Sequence, residues 1–256
     1  MTAAAVDQAR ADFPRGLSQP DPGFRFSMDA LLLAAFAGRA ARGRALDLGT
    51  GCGVVGLALA LNHPDFFVTG LDLDPLMLGH ARINAARLGL AGRFGLVRSD
   101  VRRPGGLLPE SMDLVVANPP YRDMGTGRVC PDKHKTTARF EDQAGLIDFA
   151  RAAAFFLGNR KSCCLIHLAE RVDHVLAALS SCRLRPKEIL FIHPLADRPA
   201  RLVLVRAVKN GGAGLTVRPP LVVHERRGSQ TVLTRQILDF CPCLACNDVA
   251  SSWGAP

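Results

Sequence analysis

The chain of 256 residues lacks the features of several common protein classes. Its eight cysteines do not follow the spacing of a disulfide scaffold, so reduced thiols are expected. The most apolar early stretch, residues 30–37, is too short for a membrane span and lies too far into the chain for a signal peptide. There is also no internal repeat and no long low-complexity segment. We therefore expect a cytoplasmic protein with no membrane partner.

What the sequence does contain is apolar residues and positive charge. Hydrophobic residues make up 48% of the chain, which is enough for a sizeable core. The formal charge is +9, from 32 Lys and Arg against 23 Asp and Glu. Such a charge favours a polyanionic partner such as nucleic acid. It is equally compatible with a merely basic soluble surface.

The order of predicted elements indicates a doubly wound α/β domain with a mostly parallel sheet. A flexible segment is expected over 1–23, a main domain over 24–240 and a cysteine-containing tail over 241–256. Within the domain, Ser27 or Asp29 caps a helix over 28–38. The predicted strands cover 45–48, 66–71, 94–98, 114–117, 163–168, 187–193 and 201–208, and the further helices cover 54–61, 75–88, 144–157 and 170–179. Alternating strands and helices with right-handed crossovers produce this fold.

A glycine-rich turn follows the first strand. Gly51, Gly53 and Gly56 satisfy G-x-G-x-x-G, which alone is a weak match to a dinucleotide fingerprint. Asp72, at the end of the second strand, is placed to accept hydrogen bonds from the ribose hydroxyls of an adenosine. Asp47, just before the glycines, would repel a pyrophosphate but suits a cofactor that carries an ammonium and a sulfonium. The pattern therefore favours S-adenosylmethionine over NAD. The alternative interpretations are that Asp47 is only a turn residue and that Asp72 is only a solvated strand end.

Ser99 and Asp100 follow the third strand. They are candidates for a hydrogen bond to the adenine amino group of the cofactor. An ordinary loop acid is an equally good interpretation of the spacing.

The tetrapeptide Asn118-Pro119-Pro120-Tyr121 follows the fourth strand, at the sheet edge where such folds bind ligands. Two prolines hold the Asn118 side chain and the Pro119 carbonyl rigidly. If both oxygens accept hydrogen bonds from a planar amino group, its lone pair is directed at a methyl donor, with no strong base required. Tyr121 is then placed to stack on the target ring. The alternative is a turn that only ends the strand.

With both motifs in place, residues 24–240 resemble class I methyltransferases of the N-P-P-Y type, and more closely the bacterial tRNA1(Val) (adenine-37-N6)-methyltransferase family. Further similar segments are 24–33, 138–141, 185–187 and 219–224. The resemblance implies a Rossmann-like fold whose seven-stranded sheet ends in an antiparallel hairpin. It also implies a cofactor site for S-adenosylmethionine formed by Asp29, Asp47, Gly49, Thr50, Gly51, Cys52, Gly53, Asp72, Leu73, Ser99, Asp100 and Asn118. In this site Asp29 lies near the methionine end and the glycine loop binds the amino acid portion.

The resemblance also implies that the loop over 122–139 admits tRNA. The expected contacts come from Tyr121, Arg122, Arg128, Lys133, Lys135 and Arg139. A flexible solvated loop is the alternative, and the two are compatible if the loop orders on RNA.

Three cysteines, Cys241, Cys243 and Cys246, have no counterpart in that family. No obvious fourth ligand follows them, so no metal site is predicted. Whether the protein is a monomer or a homodimer is left open.

Other functions are compatible with parts of the pattern. N5-methylation of a protein glutamine uses the same planar amide, although enzymes of that kind usually carry a helical domain for which 46 residues before Asp47 leave little room. Methylation of DNA or ribosomal RNA, a dinucleotide-dependent oxidoreductase and a non-catalytic RNA-binding module are further alternatives.

Overall fold

The computed structural model describes residues 2–20, 27–38, 43–121, 144–228 and 230–246. The helices are α1 Ala3–Ala11, α2 Met28–Ala37, α3 Val54–Asn62, α4 Pro75–Arg87, α5 Leu146–Phe156, α6 Val172–Ser181 and α7 Arg235–Phe240. The strands are β1 Gly43–Leu48, β2 Phe66–Asp72, β3 Phe94–Arg98, β4 Met112–Ala117, β5 Leu157–Leu168, β6 Leu184–His193, β7 Leu202–Lys209, β8 Thr216–Val217, β9 Leu221–Val222, β10 His224–Arg227 and β11 Gln230–Leu233. Short 3₁₀ turns cover Ala169–Arg171 and Pro242–Cys246.

The main sheet confirms the predicted topology. Its strand order is β3-β2-β1-β4-β5-β7-β6-β8, and β9 also pairs with β6. Strands β1 to β5 are parallel to their neighbours in that run, whereas β7 is antiparallel to both β5 and β6. The seven long strands therefore end in the expected antiparallel pair. The two-residue strands β8 and β9 and the separate β10–β11 hairpin were not predicted.

Apolar residues of the central strands are buried on both faces of the sheet. In β4, Leu114 and Val116 join one core cluster, and Val115 joins a second one. Helices α2 and α3 supply the first cluster, and α5 and α6 supply the second. Because each face is covered by helices, the strands read as nearly continuous apolar runs. This layering leaves the carboxyl edge of the sheet for a site.

The N-terminal segment differs from the expectation of loose order over 1–23. The Thr2 side chain caps α1 by accepting a hydrogen bond from the Ala5 amide. Ala9, Phe13 and Leu17 are buried in the same core cluster as α2 and α3. The three residues are spaced four positions apart, but Phe13 and Leu17 lie beyond the end of α1 at Ala11, so their order comes from tertiary burial that no helical period explains.

The start of the tail also packs on this core. Cys241 and Leu244 are buried. The limits proposed for the domain and its flanking segments remain predictions. None of the described helices is long and apolar enough to cross a membrane.

Candidate active site

Three strands end side by side at the carboxyl edge of the sheet. Leu48 of β1 is paired with Leu71 of β2 on one side and with Ala117 of β4 on the other. Neighbouring strands are about 4.8 Å apart. The residues that follow these strand ends are the glycine loop, the Asp72 carboxylate and the N-P-P-Y tetrapeptide. The register thus brings the two predicted motifs together.

The glycine loop is held against the end of β2 and left open toward solvent. The amides of Gly49 and Thr50 both donate to the Leu71 carbonyl, at 2.8 and 3.0 Å. Gly51 and Gly53 have φ angles of 55° and 92°, in the left-handed region that favours glycine. A Cβ at Gly51 would meet no atom within 4 Å, so the space beside it is free for a ligand.

Asp47 lies beneath this loop. It is 1% exposed, and its Oδ2 accepts hydrogen bonds from the Thr50 hydroxyl at 2.7 Å and the Gly56 amide at 3.0 Å. Burial raises the pKa of the Asp47 carboxyl from 3.8 to about 7. Asp47 therefore holds the loop directly, and its contact with the cofactor remains a prediction.

This buried carboxyl should make the stability of the fold pH-dependent. Because its pKa is higher in the folded chain, its contribution is complete below pH 3.8 and is lost as the pH rises through about 7. At about 1.4 kcal/mol per pKa unit, ionised Asp47 costs the fold on the order of 4 kcal/mol. The free energy of unfolding should fall between about pH 4 and pH 7, and Asp47→Asn should remove most of this slope. Urea titrations across that range measure it, and an unchanged slope in the variant would contradict the assignment.

Asp72 occupies the position predicted for ribose binding. Its Oδ2 accepts from the Gly51 amide at 2.8 Å and its Oδ1 from the Asp74 amide at 2.9 Å. Burial raises the pKa of the Asp72 carboxyl above its ordinary value. Each oxygen retains a further lone pair for a hydroxyl. Leu73 beside it is 50% exposed and offers an apolar surface to a flat ring.

Ser99 and Asp100 are engaged by their own loop. The Ser99 hydroxyl accepts from the Gly105 amide at 3.3 Å. The Asp100 carboxylate accepts from the Arg102 guanidinium, with a shortest distance of 2.7 Å, and this hydrogen bond lowers the pKa of Asp100. The predicted contacts of both residues with an adenine remain predictions.

The N-P-P-Y tetrapeptide lies where the sequence placed it. Asn118 is half-buried, Pro119 is buried and Pro120 is exposed. Within the described part of the chain, no residue hydrogen-bonds to the Asn118 side chain. The availability of the Asn118 amide oxygen to an incoming amino group stays a prediction.

Sequence reasoning missed that Asp29 and Tyr121 contact each other. The Tyr121 hydroxyl donates to Asp29 Oδ2 at 2.6 Å, across 92 positions of sequence. Burial, together with the negative charge of Asp29, raises the pKa of Tyr121. The Tyr121 ring also packs edge-on against His167 at the end of β5, with centroids 5.2 Å apart. The Tyr121–Asp29 hydrogen bond links the tetrapeptide to the start of α2, and no local sequence pattern predicts it.

The hydroxyl of Tyr121, which bonds to Asp29, and its ring, which is expected to stack on the base, can be tested separately. Tyr121→Phe keeps the ring but loses the hydroxyl, so we expect kcat/KM for the acceptor to fall only about 3- to 10-fold, the equivalent of one hydrogen bond. Tyr121→Leu also loses the aromatic face, so its kcat/KM should fall further, by the equivalent of about 1–3 kcal/mol of stacking. Steady-state kinetics with varied acceptor measure both. Equal losses in the two variants would contradict a stacking role.

The remaining predicted positions divide into buried and undescribed ones. The Cys52 side chain is buried, and burial raises the pKa of its thiol to about 11. Only the backbone of Cys52 is therefore placed to contact a ligand at the glycine loop. The predicted tRNA contacts Arg122, Arg128, Lys133, Lys135 and Arg139 lie outside the described residues.

The cysteine tail holds two neighbouring thiols. Cys241 Sγ lies 3.3 Å from Cys243 Sγ, whereas Cys246 Sγ donates to the Ala11 carbonyl at 3.5 Å. Among the described residues, no three potential ligands cluster in a way that suits a metal ion.

Comparison with known proteins places this geometry in a family context. Residues 25–132 match the model of the methyltransferase small domain. A tRNA1(Val) (adenine(37)-N6)-methyltransferase of Porphyromonas gingivalis is 29% identical over 195 residues, which covers 73% of this chain and 76% of the relative. A release factor glutamine methyltransferase of Neisseria gonorrhoeae is 38% identical over 123 residues, which covers 47% of this chain and 42% of the relative.

Among solved structures, a predicted O-methyltransferase of Agrobacterium tumefaciens superposes with a TM-score of 0.68 at 27% identity. The match covers 84% of this chain and 96% of that one. The similarity therefore extends over most of the chain, well beyond the two motifs.

Proposed function

Since this chain is a class I, S-adenosylmethionine-dependent methyltransferase, we propose that it methylates the N6 amino group of an adenine in tRNA. By family resemblance, the proposed target is the anticodon-loop adenine of a valine tRNA. The observation that carries the proposal is the position of Asn118. It stands at the end of β4, in register with the glycine loop at the end of β1.

The residues present fit S-adenosylmethionine. Asp72 retains acceptor capacity for two hydroxyls, and Leu73 offers an apolar surface for the adenine ring. A carboxylate at Asp29 suits the ammonium of the methionine end, and the open backbone at Gly51 permits close approach of a ligand. The cofactor supplies an electrophilic methyl group on a sulfonium.

Asn118 and Pro119 provide the second half of the chemistry. The N6 of adenine is a poor nucleophile because its lone pair is delocalised into the ring. When Asn118 Oδ1 and the Pro119 carbonyl each accept one N–H, the nitrogen becomes more tetrahedral and its lone pair points toward the methyl group. The two oxygens also stabilise the positive charge that develops on nitrogen, so positioning and electrostatics carry the reaction.

The choice of RNA as the polymer is supported by three observations. The tRNA-methylating relative of P. gingivalis aligns with 73% of this chain, far beyond the shared motifs. The chain carries a net charge of +9, which favours binding to phosphates. The basic segment over 122–139 directly follows Tyr121 in sequence and is proposed to contact the RNA.

Glutamine in a protein is the second candidate acceptor. The N. gonorrhoeae relative supports it, because its identity of 38% is higher. That alignment covers only 42% of the relative, so it reports the catalytic core and little else. We therefore favour tRNA.

Methyl transfer to defined acceptors tests the proposal. Purified protein is incubated with methyl-labelled S-adenosylmethionine and either unmodified total tRNA, a release factor or duplex DNA. Nucleoside digestion of the tRNA should give N6-methyladenosine from one tRNA species. Label in the release factor or DNA, with none in tRNA, would overturn the choice of acceptor.

A further inference from the structure

Asn84 is a fully buried amide on α4 that neither motif includes. It is 0% exposed and lies near the end of the helix, on the side that faces the glycine loop. A buried amide is costly unless its polar atoms are hydrogen-bonded. The partners of Asn84 therefore indicate what holds it there.

One partner is the glycine loop itself. Asn84 Nδ2 donates to the Cys52 carbonyl at 2.9 Å. Cys52 lies between Gly51 and Gly53, whose left-handed φ angles and missing side chains leave this stretch of backbone poorly restrained by sterics. A hydrogen bond to the Cys52 carbonyl therefore fixes the orientation of the peptide that joins Cys52 to Gly53.

The other partner is the N-terminal segment. The Ser18 amide donates to Asn84 Oδ1 at 2.6 Å, and Asn84 Nδ2 donates to the Ser18 carbonyl at 3.0 Å. One helical turn earlier, the Ser18 hydroxyl pairs with His80 Nδ1 at 2.8 Å. Arg10 adds a bond from its Nε to the Leu88 carbonyl at 2.9 Å. Residues 2–20 are thus docked along α4 through several contacts, and one of them, Asn84, also holds the loop.

We propose that Asn84 is a positioning residue for the cofactor loop and that the N-terminal segment, through Ser18, is part of the cofactor site. The Asn84 amide bridges Ser18 and Cys52, so the loop keeps its binding geometry only while the N-terminal segment is docked. This segment is then a determinant of affinity for S-adenosylmethionine through its bonds to Asn84.

Two variants break the bridge from opposite sides. Asn84→Ala removes all three hydrogen bonds, and we expect the Kd for S-adenosylmethionine to rise about tenfold, the equivalent of one lost hydrogen bond. Ser18→Pro removes the Ser18 N–H together with the hydroxyl that pairs with His80, and should raise the Kd in the same direction by a smaller factor. Ser18→Ala removes only the hydroxyl and keeps both backbone bonds to Asn84, so its Kd should rise less than that of Ser18→Pro. Since the lost interaction is with the cofactor loop, kcat at saturating cofactor should change less than about threefold.

Isothermal titration with S-adenosylmethionine alone, well below the melting temperature, measures these effects. The reading does not involve an acceptor, so it is independent of whether tRNA is the substrate. Val175→Ala, at a buried position on α6, serves as a control that loses stability at a distance from the loop. A raised Kd in Asn84→Ala and Ser18→Pro, with a parental Kd in Val175→Ala, supports the proposal. Parental affinity in folded Asn84→Ala overturns it; if that variant does not fold, parental affinity in Ser18→Pro does so.

Discussion

Asn118→Ala should lower kcat for methyl transfer about 100- to 1,000-fold, while the Kd for S-adenosylmethionine stays within about threefold of the parent. The Asn118 oxygen accepts an N–H that becomes more acidic as the nitrogen attacks, so its contribution is largest in the transition state. The alanine variant keeps both prolines and hence the strand end. A loss confined to kcat is the signature of an interaction made only in the transition state.

Single-turnover rates at saturating enzyme and cofactor isolate this step from product release. Val217→Ala, an exposed position on β8 at the far edge of the sheet, is the control and should react at the parental rate. If Asn118→Ala retained more than about a tenth of the parental rate, Asn118 would not be the residue that activates the amino group.

Asp72→Ala should weaken S-adenosylmethionine binding about 100-fold or more. Two hydrogen bonds between a carboxylate and ribose hydroxyls are each worth about 1.5–3 kcal/mol. The variant also leaves the Gly51 amide without its partner, which loosens the loop. Isothermal titration measures the change.

Asp74→Ala is the matched control, two residues away on the same turn. The Asp74 side chain caps α4 by accepting from the Leu76 amide at 2.8 Å, so its loss costs about 1 kcal/mol of stability and little affinity. Asp72→Asn should lie between the two, since it keeps one acceptor oxygen and loses the charge. A Kd within threefold of the parent in Asp72→Ala would contradict ribose binding at this carboxylate.

The sequence predicted the long elements of the fold well, because the central strands β1 and β4 are mostly buried and therefore carry apolar runs. The limits of β3, Phe94–Arg98, agree with the structure to the residue. The strand β5 begins at Leu157, six positions before the predicted start at Cys163. Residues 159–161, near the start of this strand, are exposed and polar, so they carry no apolar pattern from which a strand could be predicted. Strands β8 and β9 are too short for any period to show.

The residues of the candidate site likewise divide into those that a local motif predicts and those that it does not. Asp72 and Asn118 were identified because each sits in a local motif at the end of a strand. The Tyr121–Asp29 bond and the Asn84 bridge join residues 92 and 66 positions apart, respectively. Such contacts depend on how α2, α4 and the N-terminal segment pack, which no short stretch of sequence specifies.

The most direct test of the mechanism is a crystal structure of the protein with S-adenosylhomocysteine and a short adenine-containing RNA. We predict that the N6 atom lies about 2.7–3.2 Å from both Asn118 Oδ1 and the Pro119 carbonyl oxygen, with the Tyr121 ring on the face of the base. An adenine bound with its amino group away from Asn118, or an Asn118 amide directed into the protein, would contradict it.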